Sequence, residues 1–148
     1  MEKSDFCAKI EKRIRKYLRV NEIFKKDDII FTKDGLSRHL IENIVGSLPK
    51  KFANNSKDAN KTIIKFTLDD VCSEFLENLM FNKPKKKSKG ISILKAITDK
   101  EALLFARYNN IKFSPNKKNK KVKDILDKLE QLYPQTRYSL AKSIESLK

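Results

Sequence analysis

Apolar residues recur at helical spacing from the start of the chain. Phe6, Ile10, Ile14, Tyr17 and Leu18, with basic residues between them, predict a helix that Ser4 or Asp5 can cap and that ends near Asn21. The polar turn Lys25-Lys26-Asp27-Asp28 gives way to Ile29-Ile30-Phe31, a continuous apolar run of the kind buried in a parallel sheet. Thr32-Lys33-Asp34-Gly35 then leads into a second helix, with Leu40, Ile41, Ile44, Val45 and Leu48 inward. After Pro49 and the polar stretch 54–61, Thr62-Ile63-Ile64-Lys65-Phe66 predicts a second strand. Thr67 or Asp69 starts the next helix, with Val71, Phe75, Leu76 and Leu79 facing a core.

The run Lys83-Pro84-Lys85-Lys86-Lys87-Ser88-Lys89-Gly90 offers no side chain to anchor it and reads as an exposed loop. Ile91 to Leu94 predicts a third short strand. Thr98-Asp99-Lys100-Glu101 has the spacing of a capping box, so a helix starts there and runs to about Asn109. A second lysine-rich loop, Ser114 to Lys121, precedes a helix with Val122, Ile125, Leu126, Leu129 and Leu132 on one face, which Pro134 ends. A last helix from about Ser139 buries Leu140, Ile144 and Leu147. Strands alternating with helices, followed by helices alone, predict an α/β fold: a small parallel sheet with a helical C-terminal part. The 148 residues suit one domain, with an N-terminal helix (1–24), an α/β core (25–113) and C-terminal helices (114–148).

Charge sharpens this picture. The chain carries 34 Lys and Arg against 19 Asp and Glu, a net +15, yet 39% of its residues are hydrophobic, so it is basic and globular. Residues 1–82 hold 16 basic and 13 acidic side chains; residues 83–148 hold 18 and 6, so the field belongs to the second part. A polyanion is the expected partner, although an excess of 28 Lys over 6 Arg is also what compositional drift produces. Lys85, Lys86, Lys87, Lys89, Lys117, Lys118, Lys120, Lys121 and Lys123 are the candidate phosphate contacts, giving salt-sensitive affinity with little base readout. Tyr108, Phe113, Tyr133 and Tyr138 lie in the same half and are candidates for base stacking as well as for core packing. Cys7 and Cys72 form no C-x-x-C pair, which suits a reducing, cytoplasmic setting. The first dozen residues lack the apolar stretch of a secretory signal, and no segment has membrane-spanning length.

Catalytic chemistry is sparse. Thr32 to Ser37 occupies the position where doubly wound sheets bind phosphate, but it holds one glycine and places Asp34 where an anion would sit. Asp69 and Asp70 are favoured at any helix start by the helix dipole. His39 is the lone histidine and lies beside Leu40 and Ile41, so a general base, a metal ligand and a surface residue all remain open. Cys72 reads as a structural thiol. No nucleophile-base pair, metal cluster or cofactor loop can be assembled.

The order of elements nevertheless resembles a known family, the cytoplasmic tRNA 2-thiolation proteins of PP-loop ATPase type. The likeness runs from Ile10-Glu11-Lys12-Arg13-Ile14-Arg15-Lys16 and Phe24 to Ile30 into the first strand. There Thr32-Lys33-Asp34-Gly35-Leu36-Ser37 stands where active members carry Ser-Gly-Gly-Lys-Asp-Ser. Lys65-Phe66-Thr67-Leu68-Asp69-Asp70 is similar to the Gly-His-Asn-x-Asp-Asp element, followed by Phe75-Leu76-Glu77-Asn78-Leu79. Leu94-Lys95-Ala96, Thr98 to Ala102, Ala106 to Asn109, Lys121 to Glu130, Tyr133-Pro134 and Ser139 to Ser143 resemble the closing segments. Ser114 stands near a position where relatives have a sulfur-handling cysteine. The middle, between Leu48 and Lys65, is short, and the paired-cysteine zinc motifs are missing.

The resemblance implies a reduced PP-loop, Rossmann-like sheet that has lost its ATP grip, keeping Ser37, Asp69 and Asp70 as remnants. It implies the family's degenerate, non-catalytic role, which is to support wobble-uridine thiolation by binding tRNA and an active PP-loop paralogue, with a ubiquitin-like sulfur carrier reached through the complex. Two other readings stand beside it: an autonomous ATP-dependent tRNA sulfurtransferase using Ser37, Asp69 and Asp70, and a stand-alone basic RNA-binding domain. A shortened sheet also predicts an exposed edge or apolar face.

Overall fold

A computed structural model describes residues 2–44, 51–82 and 90–146. Helix α1 (Lys3–Val20) carries Ile10, Ile14 and Leu18 on one stripe, all buried. It starts earlier than a cap at Ser4 or Asp5 would set it; Glu2 takes the cap position without a side-chain bond, and Asn21 closes the other end. Strand β1 (Ile29–Thr32), helix α2 (Gly35–Ile44), strand β2 (Lys51–Phe52) and strand β3 (Lys61–Ile63) follow. The sheet is parallel, in the order β2-β1-β3, with Ile29 opposite Lys51 and Ile30 opposite both Phe52 and Lys61. The fold is therefore α/β around a small parallel sheet.

Three details depart from the sequence pattern. Strand β2 lies in a stretch without strand periodicity, and its two residues are fixed by pairing to β1. The Ile91–Leu94 strand reduces to one bridge from Ile91 to Ile63, after which Leu94–Ala96 turns into a 3-10 helix. Gly90 permits that bridge, since a Cβ there would come 2.9 Å from the Thr62 carbonyl oxygen. Only Ile30 of the apolar β1 run is fully buried, because a three-stranded sheet gives Ile29 no full cover.

Helix α3 (Leu68–Phe81) opens with a capping box in which Thr67 and Asp70 satisfy each other's backbone amides. Helix α4 (Asp99–Tyr108) does the same with Thr98 and Glu101, as its sequence predicts. Helix α5 (Lys120–Leu132) is capped by Asn119, and helix α6 (Thr136–Ser146) starts one turn before Ser139, directly after the Pro134 turn. Val45, Leu48 and Leu147 lie outside the described residues.

Two cores result. Ile10, Ile14, Ile30, Leu36, Leu40, Ile41, Ile93, Leu94 and Phe105 join α1, the sheet, α2 and α4. The second core is small: Cys72, Val122 and Leu126, with Leu76, Leu140 and Ala141 against them, hold α5 and α6 to α3. The inward face of α3 is the expected one only in part, since Leu76 packs on the second core. Leu79 is 65% exposed, while Asp69, Asp70, Cys72 and Ser73 are buried. On α5, Leu129 and Leu132 likewise face outward.

Charged bonds tie the two cores together. Glu101 accepts from Arg13 of α1 at 2.7 Å, from the Thr98 amide at 3.0 Å and from the Tyr138 hydroxyl of α6. Burial would raise the Glu101 pKa, but these three donors outweigh it and hold the carboxyl below its ordinary 4.5. Asp28 is also held low: burial opposes it, and the Lys25 amide, Lys61 and Asn60 prevail. A carboxyl lowered in the folded state gives stability that is present above its unfolded value and lost as pH falls through the folded one. The loss of unfolding free energy between neutral pH and about pH 3 should thus be smaller in Glu101→Gln than in the parent, measured by urea titration; an equal loss would contradict the assignment.

Candidate functional site

In an open parallel sheet, ligands sit outside the carboxyl ends of the strands where the strand order reverses. Here that place lies beyond β1 and β3. It forms a crevice of about 1070 Å³ lined by Phe31, Asp34, Asn54, Ile63 and Phe113 among others, with Lys33, Lys65 and Lys112 at its wall. Lys65 donates to the Ser114 carbonyl at 2.7 Å, and Lys33 and Lys112 are exposed.

The loop beside the crevice holds its own anion. The Asp34 carboxylate accepts from the Ser37 amide at 3.1 Å and from the Ser37 hydroxyl at 2.6 Å, capping α2 from within the chain. Thr32 steadies the turn by accepting from the Asp34 amide at 3.1 Å. Gly35 is not in the left-handed region, and a Cβ on it would meet only Ile111, at 3.8 Å. A loop that wraps phosphate needs free amides and close backbone approach. In this one, a carboxylate sits at the helix N-terminus and the glycine brings nothing near.

Asp69 and Asp70 belong to a different cluster. Asp69 accepts from the Asp99 amide at 2.6 Å and pairs with Arg137, whose guanidinium also meets Asp127 at 2.7 Å and Glu130. Lys118 lies 3.1 Å from Asp70 and 2.6 Å from Asp99, and Asn116 donates to Asp70 at 3.2 Å. Burial pushes the Asp69 pKa up despite its donors; burial would lower Lys118, but Asp99 and Asp70 raise it. The crevice is lined by none of Ser37, Asp69 and Asp70. Among the described residues, no His, Cys, Asp and Glu group could hold a metal. His39 packs edge-on against Phe105, and Cys72 donates to the Arg137 carbonyl, its thiol pushed by burial up to about 12.

The candidate lysines separate into three groups. Lys117, Lys120, Lys121 and Lys123 are exposed at the start of α5, where the helix dipole adds to their field. Lys118 is a correction: its side chain is 7% exposed and its ammonium serves Asp70 and Asp99, so it faces the interior and not a phosphate. Lys85, Lys86, Lys87 and Lys89 lie outside the described residues. Lys33, Lys65 and Lys112 escaped the sequence reading because only the fold brings three isolated lysines to one crevice. Of the aromatics, Tyr108 packs edge-on with Phe6, Phe113 packs on the main core, Tyr138 is bonded to Glu101 and Arg13, and Tyr133 is exposed.

No described helix is long and apolar enough to cross a membrane. Comparison of the chain with models of known protein families and with curated proteins returns no match.

Lys118 and its neighbours should behave oppositely. Lys118→Ala leaves two carboxylates unpaired and should cost about 3–5 kcal/mol of stability. Lys117→Ala, Lys120→Ala and Lys121→Ala should leave the melting temperature unchanged, since each of these side chains is exposed.

Proposed function

We propose that this chain is a non-catalytic cytoplasmic subunit that supports 2-thiolation of the tRNA wobble uridine, built on a reduced PP-loop sheet. It contributes exposed lysines to the tRNA backbone and pairs with an ATP-using PP-loop paralogue, through which a ubiquitin-like sulfur carrier is reached. The ordered likeness of its segments to the thiolation family motivates the reading. The observation that carries the non-catalytic part is Asp34: a carboxylate bonded to the Ser37 amide and hydroxyl stands where the family grips ATP phosphates. Ser114 at the cysteine position and a buried, protonated Cys72 fit the same loss. An autonomous enzyme is less well supported, since Ser37 and the two aspartates serve separate internal bonds.

Reconstitution tests this reading. The chain alone should bind no ATP above background, and adding it to an active paralogue should raise wobble-uridine thiolation. ATP binding by the chain alone, or thiolation indifferent to its presence, would overturn the assignment. Asp34→Ala should cost about 1 kcal/mol as a lost helix cap and still confer no ATP binding.

A further inference from the structure

The C-terminal helices have no buried residue in the main core. Among the described residues, the buried members of that core all lie between Ile10 and Ala106. Helices α5 and α6 rest on α3 through Cys72, Val122 and Leu126, with Leu76, Leu140 and Ala141 partly buried beside them. Charged and hydroxyl groups supply further ties: Lys118 to Asp70 and Asp99, Arg137 to Asp69, and Tyr138 to Glu101 and Arg13. Buried pairs of this kind return little net free energy, because undocking gives their charges back to water. Segments with few buried apolar contacts open at lower free energy than the structure as a whole.

The contact is also incompletely filled. A cleft of about 750 Å³ lies along it, lined by Asp69, Ser73, Asp99, Leu126, Arg137 and Tyr138 among others. Ser73 is 4% exposed, and its hydroxyl has no hydrogen-bond partner among the described residues. A buried hydroxyl left unpaired costs free energy that undocking recovers. The two helices are meanwhile tied to each other. Arg137 of α6 meets Asp127 and Glu130 of α5, and the Thr136 hydroxyl donates to the Leu129 carbonyl at 3.2 Å. On the other side, Glu101 keeps Arg13 and the Thr98 amide when Tyr138 leaves.

We propose that α5 and α6 form a clasp that undocks from α3 as one body while the main core stays folded. The open form uncovers the α3 face that bears Asp69, Asp70, Cys72 and Ser73. The clasp stands on packing and bonding within the chain, independently of the proposed role in thiolation.

Cys72 reports the open form. Its thiol is buried against α6, donates to the Arg137 carbonyl at 3.3 Å and is held protonated by burial, so the docked form is inert to thiol reagents. In the full chain carrying Cys7→Ser, Cys72 is the sole thiol. Its reaction with an aromatic disulfide, whose coloured thiolate the Cys72 sulfur displaces, is timed in native buffer. Leu126→Ala should speed labelling about thirtyfold or more, the low end for truncating a buried leucine. Tyr138→Phe, the milder change, should speed it about fivefold, the scale of one hydrogen bond. Ile30→Val, in the main core, should lower the urea midpoint of global unfolding followed by circular dichroism and leave the labelling rate unchanged. If Ile30→Val speeds labelling in proportion to the stability it removes, Cys72 is reached only by unfolding of the whole chain and the proposal is overturned. Labelling that neither Leu126→Ala nor Tyr138→Phe accelerates overturns it as well.

Discussion

The attachment of the C-terminal helices rests on a buried ionic seam. The apolar cluster holding α5 and α6 to α3 has only Cys72, Val122 and Leu126 fully buried. Between this cluster and the main core, Arg137 meets Asp69, Asp127 and Glu130, and Lys118 meets Asp70 and Asp99. Desolvating these charges consumes most of what their attraction returns, so the seam is not a strong source of net stability. Its effect is on geometry. A cation that must reach two or three fixed carboxylates cannot slide, so the loop bearing Lys118 and the helix bearing Arg137 have one placement. The acceptors are well sited, because Asp69, Asp70 and Asp99 lie in the first turns of α3 and α4, where the helix dipole already favours negative charge.

Local signals were legible in the sequence, and signals completed by distant residues were not. The α1 stripe, the Thr98–Glu101 box and the stop at Pro134 each depend on residues within a turn or two of one another, and all three formed as read. The buried face of α3 could not be read that way. Hydrophobicity favours Val71, Phe75, Leu76 and Leu79, of which Leu76 packs on the second core and Leu79 is exposed; full burial also went to Asp69, Asp70 and Ser73, the two aspartates because their partners arrive from positions 118 and 137. The same distance hides Lys118 among Lys117, Lys120 and Lys121, since nothing adjacent marks it as the one turned inward. Strand β2 is the backbone counterpart: two residues with no pattern of their own become a strand because Ile29 and Ile30 offer bonds.

The candidate site was legible mainly as an absence. Thr32 to Ser37 lacks the glycines of a phosphate loop, and the structure supplies the physical reason the loop is stable without a ligand. The amide at the start of α2 is already satisfied by Asp34. An incoming phosphate would have to displace a carboxylate held by two hydrogen bonds and repel it while doing so. The crevice beyond β1 and β3 persists beside this closed loop, walled by lysines whose grouping is a product of the fold.

The basic surface follows from the same seam. Lys118 and Arg137 are withdrawn into the fold and neutralised, so the excess charge of the second half is expressed by the lysines around them. Asn116 and Lys118 pin the segment leading into α5 to Asp70 at its base, which presents Lys117, Lys120 and Lys121 from an anchored edge. A fixed row of cations loses less side-chain and loop freedom on meeting phosphates than one on an untethered loop, and it matches a backbone of fixed shape better than a flexible one. Under the proposed tRNA reading, weakening the seam would therefore reduce affinity without removing a single exposed lysine. That coupling makes stability the necessary control for any charge substitution in this region.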